Sequence, residues 1–287
     1  LISNCQFLSS LALIVGLSLS LSSCSSNIKQ NSTKLTLTGS SSVAPLAGEI
    51  AKRFESEHPG VRIDVQTGGS SRGIADASQG VVDIGMVSRD LKDSETQELK
   101  SFTIARDGIS MIINDGISMI INKDNSIDSL SDEEIQQIYQ DKINNWQEVK
   151  GKNAPITVVS KAEGRSTLEL FLKYFELENS QIKADTIIGD NQQGIKTVAG
   201  NPNAIGYVSI GAAEYEIDRG VPIKLLPIGG IESSTKTIQD GTFPLSRPLN
   251  LVTKETPTGL TQEFIEYAQS PKVADLVKAQ NFVPIVK

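Results

Sequence analysis

The stretch LTLTGSSSVAPLAGEIAKRFESE, Leu35 to Glu57, holds a complete structural unit. Leu35 and Leu37 alternate with Thr36 and Thr38, the period of a half-buried strand. Gly39 ends the strand, Ser40, Ser41 and Ser42 supply hydroxyls, and Val43, Leu46, Ile50 and Phe54 recur at the spacing of a helix face. The hydroxyls therefore stand at a helix start. There they can cap the first backbone N–H groups or join them in holding an anion, because the positive end of a helix favours negative charge.

The unit recurs along the chain. Val61 to Val65 alternates as a strand and runs into TGGSSRG (Thr67 to Gly73) before Ile74 opens a helical segment. Val81 to Met86 leads into Val87-Ser88-Arg89-Asp90 and an acid-rich helix start at Ser94. Ile156 to Val159 ends in SKAEGRST (Ser160 to Thr167), and Leu168, Leu170, Phe171, Tyr174 and Phe175 continue as an amphipathic helix. One such loop is an ordinary helix cap. Four of them, each after a strand, carry more, since parallel sheets gather their carboxyl-end loops at one edge, where ligands bind. Arg89, Lys161 and Arg165 add positive charge at these loops, which suits a tetrahedral oxyanion. Strands alternating with helices predict an α/β fold with largely parallel sheets.

The chain has 287 residues and a formal net charge of −7. That length predicts two lobes, and the acidic balance argues against nucleic acid or an anionic membrane surface as partner. Leu8 to Leu21 is an uncharged apolar run, too short to span a membrane but suited to the core of an export signal. It ends in Leu21-Ser22-Ser23-Cys24, which resembles a bacterial lipobox whose cysteine carries the lipid. No Lys or Arg precedes the run, so the natural start is expected a few residues upstream. Ser25 to Lys34 is polar and reads as a tether. With Cys5 removed and Cys24 lipidated, no disulfide is expected. The only histidine, His58, stands in a helix stop before Pro59-Gly60 and is expected to be solvated, so neither a metal site nor any cofactor is predicted.

Asp107 to Asn122 reads DGISMIIN twice in succession. An eight-residue insert keeps the two faces of a strand in phase, while Asn114-Asp115-Gly116 could instead turn the copies into a hairpin; one copy is surplus to the fold. Further on, Ser131 to Tyr139 carries a capping-box helix start, Trp146 is expected in the core, Ala204 to Val208 reads as a buried strand, and Leu249 to Val252 follows a Pro- and Gly-rich segment from Gly241 to Pro248. Gly189 to Thr197 superficially suggests a phosphate-cradling loop, but Ile195 separates glycine from lysine and no clean strand leads into it, so that reading is rejected. A serine hydrolase needs a base beside its nucleophile. The sole histidine is badly placed for this, which leaves only a Ser-Lys arrangement with Lys161.

In their order, and with the signal ahead of them, the loops TGSSSVAP (Thr38 to Pro45), TGGSSRG (Thr67 to Gly73), VDIGMVSRDL (Val82 to Leu91) and NAIGYVSIG (Asn203 to Gly211) resemble the phosphate-binding lipoproteins of ABC-type phosphate importers. The resemblance spans Leu35 to Val286. It implies a two-lobed periplasmic-binding-protein-like fold of type II, with a signal over 1–23, a tether over 24–33, lobe I over 34–114 and 249–287, and lobe II over 115–248. Two crossing strands, near Ile109 to Asn122 and Pro248 to Lys254, would join the lobes.

Ser41, Ser42, Ser70, Ser88, Lys161, Arg165, Ser166 and Thr167 match the family's phosphate contacts, and Arg89 is added on charge. Some family members have aspartate where this chain has Ser88, Lys161 stands where arginine is frequent, and Arg165-Ser166-Thr167 replaces the familiar Ser-Gly-Thr. The implied protein is a monomer without catalytic activity. It is anchored through Cys24 on the outer face of the membrane or in the periplasm, and hands inorganic phosphate to an ABC permease. The alternatives are the same fold binding sulfate or molybdate, a secreted Ser/Lys hydrolase, and an adhesive surface lipoprotein.

Overall fold

The computed structural model describes residues 33–104, 106–107, 111–112 and 116–282, so the expected signal segment, Cys24 and nearly all of the tether lie outside the described residues. The chain runs β1 (Lys34–Gly39), α1 (Ala44–Glu57), β2 (Arg62–Thr67), α2 (Ser70–Ser78), β3 (Ile84–Val87), α3 (Asp93–Glu98), β4 (Lys100–Thr103), β5 (Arg106–Asp107) and β6 (Met111–Ile112). It continues through β7 (Ile117–Asn122), α4 (Asp132–Tyr139), β8 (Thr157–Lys161), α5 (Ser166–Tyr174), β9 (Thr186–Ile188), α6 (Asn191–Gly200), β10 (Ala204–Ser209) and α7 (Ile210–Ile217). It closes with β11 (Ile223–Leu225), α8 (Thr235–Gln239), β12 (Asn250–Thr253), α9 (Gly259–Ala268) and α10 (Ala274–Ala279). Among the described residues no helix is long and apolar enough to cross a membrane.

Two five-stranded sheets, ordered β2-β1-β3-β12-β4 and β11-β7-β10-β8-β9, form the centres of two lobes. In the first, β1 pairs in parallel with β2 and β3, while β12 is antiparallel to both β3 and β4. In the second, β8 is parallel to β9 and β10, while β7 is antiparallel to β10 and β11. The reversed strands have a common cause. The chain leaves the first lobe after β4, crosses, and enters the second at the edge where its parallel strands end, so β7 must run the other way: Ile117 starts β7 opposite Ser209 at the end of β10. The return works alike, with Asn250 starting β12 opposite Val87 at the end of β3. The crossing segments touch each other, Ile104 N–H donating to Leu249 O (3.3 Å) and Ile117 N–H to Leu245 O (3.1 Å).

The described contacts between the crossings thus lie just before β7 and β12 rather than along those strands, which are fully buried in their sheets, and residues 108–110 and 113–115 of the expected first crossing lie outside the described residues. The doubled octapeptide divides between different roles. Its second copy supplies β7, whereas Met111–Ile112 of the first copy pairs with Arg106–Asp107. Of the two alternatives, β7 does not pair in a hairpin with the first copy, because it already has β10 on one side and β11 on the other.

Each sheet is covered on both faces, and the side-chain alternation of its strands assigns the faces. Leu35, Leu37, Met86 and Leu251 pack with Val43, Leu46, Ile50 and Phe54 of the first helical unit and with Phe264 of α9; Val87 and Val252 point the other way, towards Ile74 and Ala77 of α2. In the second lobe Met119 and Ile121 meet Ile135, Tyr139, Trp146 and Phe171, while Ile120 faces Ile195 and Val198 of α6. Full burial of each such aliphatic side chain contributes about 1.5–3 kcal/mol. His58 departs from expectation: its ring stacks on Phe54 at 3.9 Å and its Nδ1 lies 2.8 Å from Phe54 O, so it closes α1 half-buried instead of standing in solvent.

Burial raises the Tyr207 phenol to about 12 against hydrogen bonds from Ser160 and the Lys161 N–H, and raises that of Tyr139 well above its usual value. Tyr174 and Tyr267 also rise to about 12, through burial reinforced by Asp132 and Glu57 respectively. A phenol whose native pKa is raised contributes stability that is complete below the unfolded value of 10.0 and lost as pH climbs through the native one. Denaturant unfolding is therefore expected to show constant stability from about pH 8 to 9.5 and a steep fall from about pH 10 to 12. Stability unchanged through about pH 11 would contradict this burial.

Candidate functional site

The strand tips of both lobes converge on one buried cluster. Gly39 makes the first tip possible: its φ is +136°, and a Cβ there would stand 2.2 Å from Met86 O. The chain turns at this point so that Ser40 Oγ accepts from Ser42 N–H (3.1 Å) and Val43 N–H (3.4 Å) at the start of α1. The capping hydroxyl is therefore that of Ser40, which leaves Ser42 Oγ for other partners.

Ser88, at the tip of β3 and 0 % exposed, is the hub. Its Oγ lies 2.6 Å from Ser40 Oγ, 2.7 Å from Ser166 Oγ and 3.5 Å from Ser70 Oγ, and its N–H donates to Ser70 Oγ (3.1 Å). Ser40, Ser70 and Ser88 come from the first lobe and Ser166 from the second, so the hydroxyls join the lobes directly. Ser70 and Ser166 are the first residues of α2 and α5, and Thr167 follows, buried, in the first turn of α5.

Two buried cations flank these hydroxyls. Lys161, at the end of β8 and 3 % exposed, donates from Nζ to Asn191 Oδ1 (3.1 Å), and Asn191 Nδ2 donates to Ser42 Oγ (3.2 Å) across the lobes. Arg247, 2 % exposed, donates from Nη1 to Ser166 Oγ (2.9 Å) and from Nη2 to Ser42 Oγ (2.7 Å). It lies on the returning crossing segment, so one guanidinium fork bridges the lobes from the segment that joins them. Removing such charges from water is costly unless neighbouring dipoles and hydrogen bonds compensate. A small oxyanion surrounded by hydroxyls, helix N-termini and two cations would meet complementary groups on every side.

An aromatic base positions this machinery. Tyr207 Oη lies 2.9 Å from Ser160 Oγ and accepts from Lys161 N–H (3.1 Å), fixing the tip of β8. Its ring stacks on Phe171 of α5 (4.3 Å, 9°), and Tyr139 Oη donates to Val159 O (3.1 Å). The same stack thus holds the strand that ends in Lys161 and the helix that begins with Ser166.

The sequence-selected residues divide accordingly. Ser42, Ser70, Ser88, Lys161, Ser166 and Thr167 are buried at the convergence of the tips. Ser41 lies outside it, lining a cleft of about 350 Å³ with Pro45, Thr67, Asp190, Asn191 and Gln192. Arg165 runs alongside Gly69 of the first lobe, whose absent Cβ would stand 2.9 Å from Arg165 Cδ, and its Nη2 reaches Gly189. Arg89 is turned away: its guanidinium pairs with Glu95 (Nη1 2.7 Å, Nη2 2.9 Å) and lies 2.7 Å from Glu169 Oε2. Burial works against its charge, but the hydrogen bond to Glu95 and the field of Glu169 outweigh this and raise its pKa. Positive charge beside a strand tip selects Arg89 in the sequence, whereas the carboxylates that claim it, Glu95 and Glu169, lie six positions away and in the other lobe.

Sequence reasoning missed Arg247 and Asn191. Arg247 was hidden in a Pro- and Gly-rich segment that follows no strand-hydroxyl-helix pattern. Asn191 opens α6 inside the segment set aside as a false phosphate loop; its signal was Asp190, which caps the helix by accepting from Gln193 N–H (2.8 Å).

A family model described as a PBP superfamily domain matches residues 25–272. The phosphate-binding protein PstS of Bacillus subtilis (strain 168) is 30% identical over 259 residues, covering 88% of this chain and 81% of that protein. The phosphate-binding protein PstS of Staphylococcus haemolyticus (strain JCSC1435) is 28% identical over 246 residues, 82% of this chain and 76% of its own. Among solved structures, a putative phosphate ABC transporter substrate-binding protein with bound phosphate from Clostridium perfringens superposes with a TM-score of 0.78 at 32% identity, covering 88% of this chain and 100% of that one. An ABC-type phosphate transport receptor from Vibrio cholerae gives 0.68 at 27% identity, covering 87% and 99%.

Replacing Ser88 by alanine takes the shared partner from three buried hydroxyls. The expected result is a loss of about 1–3 kcal/mol in the free energy of unfolding, measured by denaturant titration. Unchanged stability would mean that those hydroxyls re-pair with water.

Proposed function

The chain belongs to the PBP superfamily, in the family of the PstS phosphate-binding proteins, and on that premise we propose that it captures inorganic phosphate between its lobes and delivers it to an ABC permease, without chemistry. The observation that carries this reading is the single buried constellation of Ser42, Ser88, Lys161, Ser166 and Arg247, drawn from both lobes and from the crossing segment between them. In the proposed complex the phosphate oxygens take over donors that the serines now share among themselves. Lys161 and Arg247 match the anion's charge, and Asn191 and Ser70 complete the contacts. Thr167 adds a donor from the first turn of α5, while Arg165 closes over the site from the lobe boundary.

Closing the lobes assembles donors that no single lobe holds, so bound phosphate favours the closed state by its differential affinity for it. The proposal places lobe I over 34–114 and 249–287 and lobe II over 115–248. It also places the protein outside the cytoplasm as a monomer, tethered through lipid on Cys24.

Calorimetric titration with phosphate tests the reading. Lys161→Ala and Arg247→Ala are each expected to weaken binding by about 2–5 kcal/mol, the cost of removing one charged partner from a desolvated contact. Arg247→Lys, which keeps the charge but loses the fork, should fall between. Unaltered affinity in all three variants would place the ligand elsewhere, and a parent protein that binds no phosphate would overturn the function.

A further inference from the structure

We propose that Arg89 and Glu169 form a latch between the lobes that sets how long the captured anion is retained. The inference rests on the phosphate reading for its ligand, but its geometry stands apart from the anion cage. Ser88 and Arg89 are consecutive residues at the tip of β3, and their partners, Ser166 and Glu169, lie three positions apart on α5, hence on one helical face. Between the tip of β3 and α5 the lobes therefore meet in two rungs. The first is the Ser88–Ser166 hydroxyl contact at 2.7 Å inside the cage. The second is the contact of Arg89 Nε with Glu169 Oε2, also 2.7 Å and outside it, an ion pair made without an aligned hydrogen bond.

The second rung is built from both sides. Glu169 Oε1 accepts from Ser71 Oγ (3.0 Å), so one carboxylate of the second lobe holds two residues of the first. Ser71 N–H also donates to Gly164 O (3.2 Å). On the other side Arg89 is held rigidly: Glu95 grips both terminal nitrogens, Arg89 Nη1 donates to Asp90 O (2.9 Å), and Arg89 O accepts from Asn250 Nδ2 (3.1 Å) at the start of β12. The Arg89 side chain is only 11 % exposed and that of Glu169 31 %. A pair this far out of water is screened less than a surface ion pair.

Opening the lobes must break this pair, whereas Arg89 and Glu95 lie on one lobe and stay together. The latch therefore slows release. Because it also holds the ligand-free protein closed, it slows entry to a lesser degree. Losing Glu169 leaves a neutral Arg89–Glu95 pair in place, so the variant retains a balanced lobe I.

The test compares the parent protein with Glu169→Gln, and with Glu95→Gln as the control on the same guanidinium. Radiolabelled phosphate is loaded and chased with unlabelled phosphate, and the radius of gyration in phosphate-free buffer is measured by X-ray scattering. Glu169→Gln should release phosphate about fivefold faster or more, as a coupling of this kind implies, with association unchanged or slightly faster, a larger ligand-free radius, and no further acceleration by added salt. Glu95→Gln should release it less than about twofold faster, because its carboxylate is not shared between the lobes. Release from Glu169→Gln at the parent rate, or equal acceleration in both variants, overturns the latch. If the parent retains no phosphate the functional reading fails instead, and scattering alone decides: equal ligand-free radii overturn the latch.

Discussion

Two buried cations and a set of buried hydroxyls that must satisfy one another are the constraint from which the rest of the structure follows. Lys161, Arg247 and Ser88 are almost wholly removed from water, and polar groups in that position are costly unless every one has a partner. The partners do not lie on one element. Ser88 needs Ser166 of the opposite lobe, Ser42 needs Asn191 and Arg247, and Lys161 needs Asn191. Satisfying them brings the strand tips of the two sheets against each other at the carboxyl ends of their parallel strands.

The reversed strands and the crossing segments are consequences of the same arrangement. If every strand tip of a lobe faces the cleft, a chain arriving from the other lobe can enter the sheet only from that edge, so β7 and β12 run against their neighbours. The segment that returns to the first lobe passes the cluster on its way, and Arg247 is placed where a single guanidinium touches hydroxyls of both lobes. Beneath the cluster the stacked Phe171 and Tyr207 couple the tip of β8 to the start of α5, so that Lys161 and Ser166 are held by one packed unit.

Charge has two uses at the lobe boundary. Lys161 and Arg247 face the hydroxyl cage, whereas Arg89, one residue beyond the hub, is neutralised by carboxylates from both sides. A cation at a strand tip therefore has no fixed meaning in sequence. Its role depends on which carboxylates the fold brings within reach.

The repeated strand-hydroxyl-helix unit, the α/β class and most of the serines of the cluster are legible in the order of residues, because these rest on local periodicity, on glycine at a sharp turn and on small polar residues at helix starts. So is Lys161, which directly ends a readable strand. Tertiary structure alone decided the rest. Arg247 and Asn191 join the cluster through contacts to Ser42 that span 205 and 149 positions respectively, Arg89 is withdrawn by Glu169 from the other lobe, and one copy of DGISMIIN becomes a central strand while part of the other pairs elsewhere. The physical reason is the same in each case. Local pattern fixes what a segment can form, but the partner of a buried charge, or of a strand edge, is chosen by whatever distant group arrives beside it.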